Sequence, residues 1–258
     1  MRPIIGVSSN FGVNRDETPR EQSYLLAAYT DGVFAAGGLP QPVPVPPDYD
    51  DALLDQILAC YDGLMFSGGF DLPPRLFGES PHPRTIPLHE RRARFELDFF
   101  RRADRAGIPI FATCLGHQAA HVARGGRLIQ HVDDLALTPP VTHHLPKDVN
   151  AFHQVRIEPG SRLARIVGNT QLKVNSRHHQ IVDGEHLGTG LRTVAIAADA
   201  VVEASEDCDD RFLLTVQWHP EDLLDRPEHL RLFATLVQEA AAYRLCRSAP
   251  AGRQQGHA

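Results

Sequence analysis

Short apolar runs that stop abruptly in turns are the strongest constraint on the fold of this chain. Pro3–Ser8 (PIIGVS), Asp62–Ser67 (DGLMFS) and Ile108–Thr113 (IPIFAT) are short for helices and show little polar alternation. They read as strands buried on both faces. Helical spacing fills the intervals over Glu21–Ala36, Asp51–Cys60, Leu88–Ala106 and Leu115–Arg124. Glycines close three of these, at Gly37-Gly38, Gly107 and Gly125-Gly126. Leu39–Val45 carries prolines that suit an edge or strand end. The alternation predicts a three-layer α/β sandwich around a mostly parallel sheet. The second half adds strand candidates at Phe152–Ile157, Leu172–Val174, Thr193–Ala197 and Phe212–Gln217, a smaller strand-rich portion, and a closing helix at Glu228–Tyr243.

At 258 residues the chain suits one large domain, expected over residues 1–245, with 246–258 as a polar, disordered tail. A net charge of −6 argues against nucleic acid as a partner, because phosphate binding needs a basic surface. The arginines between Arg91 and Arg105 alternate with Glu90, Glu96, Asp98 and Asp104, and read as a solvated helix face. No apolar run reaches the ~20 residues of a membrane span, and the N-terminus lacks a signal core, so a cytoplasmic location is expected. The cysteines Cys60, Cys114, Cys208 and Cys246 show no metal-finger spacing and are expected as free thiols.

Cys114 stands where the Ile108–Thr113 strand meets a helix, the setting of a nucleophile elbow. The helix start beneath it favours a thiolate. A second strand ends in Gln217-Trp218-His219-Pro220-Glu221, where His219 can act as base and Glu221 can hold its tautomer. The Gly68-Gly69 pair follows a third strand. Gly78–His89, with three prolines, is long enough to be a lid or rim. His143, His144 and His153 lack a carboxylate at metal-ligand spacing; they read as structure around a loop, with no metal and no cofactor.

Three segments together resemble the class I glutamine amidotransferase superfamily, over about residues 4–240: Thr113-Cys114-Leu115-Gly116-His117-Gln118, Ser67-Gly68-Gly69, and Gln217-Trp218-His219-Pro220-Glu221. Gly68–Pro74 with Leu76–Glu79, Val174–Gln180 (VNSRHHQ) and Asp199–Glu203 resemble its γ-glutamyl-γ-aminobutyrate hydrolase family, peptidase C26. The resemblance implies the flavodoxin-like fold of that superfamily. It also implies hydrolysis of a γ-glutamyl amide through a Cys114 thioester, with catalytic His219 and Glu221. The N–H groups of Gly69 and Leu115 would form the oxyanion hole, and Gly68, Gln118, Ser176, Arg177 and His178 would bind substrate. Two features depart from the family pattern. Arg92-Ala93-Arg94-Phe95-Glu96 lacks the usual aspartate, and Ala112-Thr113-Cys114-Leu115-Gly116 is closer to domains that feed ammonia to a synthase. A glutaminase subunit with a synthase partner therefore stands as the alternative, and a catalytically silent binding protein as a further one. A homodimer is left open.

Overall fold

The computed structural model describes residues 1–14, 17–145 and 149–248. The elements run β1 (Ile4–Ser8), β2 (Asn10–Val13), β3 (Glu21–Tyr24), α1 (Ala27–Ala35), β4 (Leu39–Val43), α2 (Asp51–Ala59) and β5 (Gly63–Phe66). Then come α3 (Glu90–Ala106), β6 (Ile110–Thr113), α4 (Leu115–Ala123), β7 (Leu128–Ile129), β8 (Ala151–Ile157), α5 (Arg162–Val167) and β9 (Gln171–Ser176). The chain ends with β10 (Ile181–Val182), β11 (Leu191–Ala197), β12 (Val202–Asp207), β13 (Leu213–Val216) and α6 (Pro227–Ser248).

One 9-stranded sheet, in the order β4-β1-β5-β6-β13-β12-β11-β8-β9, organises the molecule. The block β4-β1-β5-β6-β13 is parallel, as the strand–helix alternation requires. From β13 onward the pairings are antiparallel. The expected smaller strand-rich portion is thus an extension of the same sheet. Helices α1, α5 and α6 pack Val33, Leu163, Phe233 and Leu236 against one face. On the other, α2 and α3 contribute Leu54, Leu58, Phe95, Phe99 and Phe100. The middle strands β1, β5, β6 and β13 are buried almost throughout, which explains their lack of alternation.

Local chemistry sets the element ends. The Asp50 carboxylate accepts from the Leu53 N–H at 2.8 Å to start α2, and the Ser161 hydroxyl accepts from the Ala164 N–H at 3.0 Å to start α5. Gly107 closes α3 with φ at 69°.

Three sequence expectations are corrected. Glu21–Tyr24 is not helix; it pairs antiparallel with Asn10–Val13 as a hairpin, and α1 begins only at Ala27. The segment's apolar residues fit both periods, and pairing with Phe11 decides. The last helix continues through Ser248, so residues 246–248 belong to it; the rest of the expected tail lies outside the described residues. Arg92 is not on a solvated face. It is fully buried beside Glu96, with N–O 3.5 Å. The Gly78–His89 segment is a tethered rim: Asp71 N–H donates to the Ile86 carbonyl at 3.0 Å, Leu88 N–H to the Asp71 carbonyl at 2.8 Å, and Ile86 N–H to Asp71 Oδ2 at 2.8 Å. Among the described residues, no helix is long and apolar enough to cross a membrane.

Candidate active site

Strands β6 and β13 lie side by side, with Thr113 opposite Val216. The two strands run parallel and leave the sheet at the same end, so the next residues, Cys114 and the Gln217–His219 turn, meet there. Cys114 has φ 49° and ψ −105°, the strained turn expected of an elbow. Such a conformation in a non-glycine residue costs on the order of 1–3 kcal/mol, which the surroundings must offset. They do so by continuing the ladder: Cys114 N–H donates to the Val216 carbonyl at 2.8 Å, and the Cys114 carbonyl accepts from Gln118 N–H at 3.1 Å. A side chain at position 116 would sit 2.5 Å from the Phe66 carbonyl oxygen, so only glycine lets α4 start this close to β5.

His219 Nδ1–H donates to Glu221 Oε1 at 2.6 Å, leaving Nε2 as the nitrogen free to exchange a proton. Its backbone N–H donates to Asn175 Oδ1 at 3.0 Å, which fixes the turn. Burial disfavours the imidazolium, but the adjacent Glu221 carboxylate and Cys114 more than offset it and lift its pKa to about 10. Cys114 and His219 are both buried, at 7% and 4% exposure.

Gly68 lies against both. A Cβ there would meet the Tyr29 hydroxyl at 2.8 Å and His219 Cε1 at 2.9 Å. Its N–H already donates to the Tyr29 hydroxyl at 2.8 Å. Tyr29 therefore holds the turn, and burial, then Glu221, keeps its phenol protonated by raising its pKa well above the usual value. Among the described residues the Gly69 and Leu115 N–H groups donate to no other group. They remain available to a ligand.

Behind the turn lies a buried polar network. Arg92 donates from Nη2 to the Gly68 carbonyl at 3.2 Å and to Ser67 Oγ at 3.3 Å, and from Nη1 to Asn10 Oδ1. Glu96 accepts from Ser8 Oγ at 3.0 Å. The arginine thus positions the Gly68-Gly69 backbone, and Ala93 leaves that arrangement without an aspartate.

A cavity of about 490 Å³ opens over Cys114. Gly68, Gly69, Gln118, Arg177, His178 and His219 line it. Gln118 spends its Nε2 on the Gln180 carbonyl at 2.8 Å. Arg177 is engaged by Asp222, by Asn150 Oδ1 at 3.0 Å and by Glu221 Oε1 at 3.5 Å, so it braces the His219–Glu221 pair from outside. Ser176 is corrected. It is fully buried and absent from the cavity wall, because its hydroxyl points away to donate to the His143 carbonyl at 2.6 Å.

Sequence reasoning missed Tyr29, Asp71 and His179. His179 Nε2–H donates to Asp71 Oδ2 at 3.1 Å, and that bond is the main cause of its raised pKa. Tyr24, Leu26, Phe70 and Ile86 complete the wall as an apolar rim.

The sequence reading saw no carboxylate near the histidines. The fold supplies Glu203, from β12, to His143 and His153. His144 is elsewhere, donating to Asp133 Oδ2 at 2.9 Å.

The chain is 36% identical to the protein NtpR of Enterococcus hirae over 229 residues, covering 86% of this chain and 92% of NtpR. It is 32% identical to the gamma-glutamyl-gamma-aminobutyrate hydrolase PuuD of Escherichia coli K12 over 210 residues, 76% of this chain and 78% of that protein. Among solved structures, the glutaminase domain of Trypanosoma brucei CTPS with bound acivicin shares the fold. Its TM-score is 0.64 at 16% identity, with 93% of this chain and 94% of that one covered. The family model of peptidase C26 matches residues 3–221, which spans the Gly68-Gly69 turn, Cys114, His219 and Glu221, and the chain accordingly belongs to the peptidase C26 family.

Proposed function

We propose that this chain hydrolyses γ-glutamyl amides to glutamate and a free amine. The observation that carries the reading is the strained Cys114 beside a His219 whose far nitrogen is held by Glu221 at 2.6 Å. Cys114 Sγ attacks the γ-carbonyl carbon, and the Gly69 and Leu115 N–H groups receive the developing oxyanion. The tetrahedral intermediate collapses with cleavage of the C–N bond, and His219 Nε2 gives its proton to the leaving amine. Water then attacks the thioester and gives its proton to His219. Cleavage of the C–S bond releases glutamate and regenerates the thiolate.

Charge supports a glutamyl group. His179 and Arg177 suit its α-carboxylate, and the Gln118 side-chain oxygen suits its α-amino group. The apolar rim of Tyr24, Leu26, Phe70 and Ile86 supports an amine that carries carbon, because the bare amide of glutamine cannot use that contact in the transition state. The similarity to PuuD supports γ-glutamyl-γ-aminobutyrate as the first substrate to test. The test is kcat/KM for that amide and for glutamine, with the purified chain alone. The amide is expected to be the better substrate. Preference for glutamine, or turnover only after a synthase is added, refutes the hydrolase reading in favour of a glutaminase subunit.

A further inference from the structure

Glu203 is fully buried on β12, and neither of its carboxylate oxygens has a hydrogen-bond partner. Three imidazoles converge on its Oε1: His153 Nε2 at 3.3 Å, His143 Nδ1 at 3.4 Å and His178 Nε2 at 3.8 Å. None of these nitrogens has a hydrogen-bond partner either. A charge-assisted N–H···O⁻ bond would draw the atoms to ~2.7–2.9 Å.

Two of the rings have an oxygen on their far side to take a proton. His143 Nε2–H donates to Asp199 Oδ2 at 2.8 Å, and His153 Nδ1 faces the Gln154 carbonyl at 3.4 Å. With those tautomers the inward nitrogens of both rings offer lone pairs to the space that Glu203 Oε1 also faces, which is the donor set of a cation site. The separations fit one. Zinc–nitrogen and zinc–oxygen bonds of ~2.0–2.1 Å make tetrahedron edges of ~3.3–3.4 Å. The ligand atoms of His143, His153 and Glu203 all lie within 4.8 Å of one another. Asp199 completes the carboxylate–histidine support that metal-bound imidazoles use.

We propose that His143 Nδ1, His153 Nε2 and Glu203 bind a divalent first-row transition metal of the zinc type, with His178 Nε2 facing its fourth position. The ion ties together three distant parts of the chain, the segment at His143, β8 and β12. It lies behind the strand that leads to His219, since Gln217 N–H donates to the Glu203 carbonyl at 2.7 Å. The ion is structural: His143, His153 and Glu203 lie outside the cavity wall over Cys114, and His178 is the residue that borders both.

The test is metal analysis by mass spectrometry on full-length protein loaded with Zn²⁺ and desalted. The expected content approaches one zinc per chain in the wild type and in Cys114→Ala, and falls at least ~10-fold in Glu203→Gln and His153→Gln. Asp199→Asn should retain the ion but bind it ~10–100-fold more weakly in competition with a chromophoric chelator. If the ligand variants do not fold, the wild type decides: dipicolinate should lower its Tm and added Zn²⁺ restore it, because the ion binds the folded state. Wild-type protein that takes up no zinc and shows no Tm response overturns the proposal. So does zinc that is lost in Cys114→Ala yet kept in Glu203→Gln, which would place it on the thiolate.

Discussion

Glu221→Gln is the most informative single substitution. It keeps the size of the side chain and removes the charge that faces His219 Nδ1 at 2.6 Å. Raising an imidazole from 6.5 to about 10 corresponds to ~5 kcal/mol of preference for the imidazolium, at ~1.36 kcal/mol per pH unit. Burial opposes that preference, while Glu221 and Cys114 supply it. Assigning Glu221 half of it gives ~2–3 kcal/mol, or a rate loss of about 10²-fold. The glutamine amide can also donate to Nδ1, which leaves the neutral ring's one proton on Nε2 and no base facing Cys114. The corresponding change in a serine triad costs about 10⁴-fold, so the expected loss in kcat/KM lies between about 10² and 10⁴. Two assays separate this from simple damage. Steady-state turnover of the γ-glutamyl amide gives the size of the loss. The pH profile of Cys114 alkylation follows the imidazolium, and its alkaline limb should move to lower pH in the variant. A variant that keeps more than half of wild-type kcat/KM with an unshifted profile would refute the role given to Glu221.

Three further outcomes follow from the same structure. Limiting iodoacetamide at neutral pH should label Cys114 before Cys60, Cys208 and Cys246, although those three are exposed and Cys114 is buried; equal or slower labelling of Cys114, read by peptide mass spectrometry, counts against an activated thiolate. Arg92→Leu should cost ~3–5 kcal/mol in urea unfolding, because it strands the buried Glu96 carboxylate without its partner; a loss under ~1 kcal/mol would mean the pair carries no such burden. Acidification from pH 6.5 to 5 should destabilise the fold, because burial holds His117, His121 and His229 below their ordinary pKa, His121 at about 3 and His229 at about 4. The unfolded chain binds those protons first, so their stability is complete above ~6.5 and is lost below it by up to ~2 kcal/mol per group at pH 5. His219, whose pKa is raised, acts in the opposite sense only above pH 6.5, so a Tm unchanged over this window contradicts the buried neutral imidazoles.

The parallel half of the sheet and the turns that carry Cys114 and His219 were legible because each signal is local. An apolar strand, a turn and a helix start lie within a few residues of Cys114, and the same compactness marks His219-Pro220-Glu221. What escaped depends on partners far along the chain. Strand β12 carries Glu203, Glu206 and Asp207, three acids that no strand periodicity favours. They are buried because the Arg192 guanidinium and the Arg162 backbone N–H reach Glu206, the Arg124 guanidinium reaches Asp207, and histidines face Glu203. The same distance effect hid Arg92, whose burial needs Glu96 on its own helix and Asn10 and Ser67 from other elements. Tyr29 looked like one more apolar position on a helix; only the fold shows its hydroxyl on the Gly68 N–H.

The neighbouring positions of β6 and β13 have a consequence for how this molecule breathes. Their ladder lies mid-sheet, covered by helices on both faces, so its amides should exchange with solvent only when the whole domain opens. The β2–β3 hairpin stands outside that sheet, and its second strand is exposed along its length, so it should exchange through small local openings. Deuterium uptake would thus divide the cavity into a slow floor under Cys114 and a fast wall at Tyr24. The spacing of the reacting pair would be as durable as the domain itself, while the surface that meets the amine could fluctuate and diverge without disturbing it.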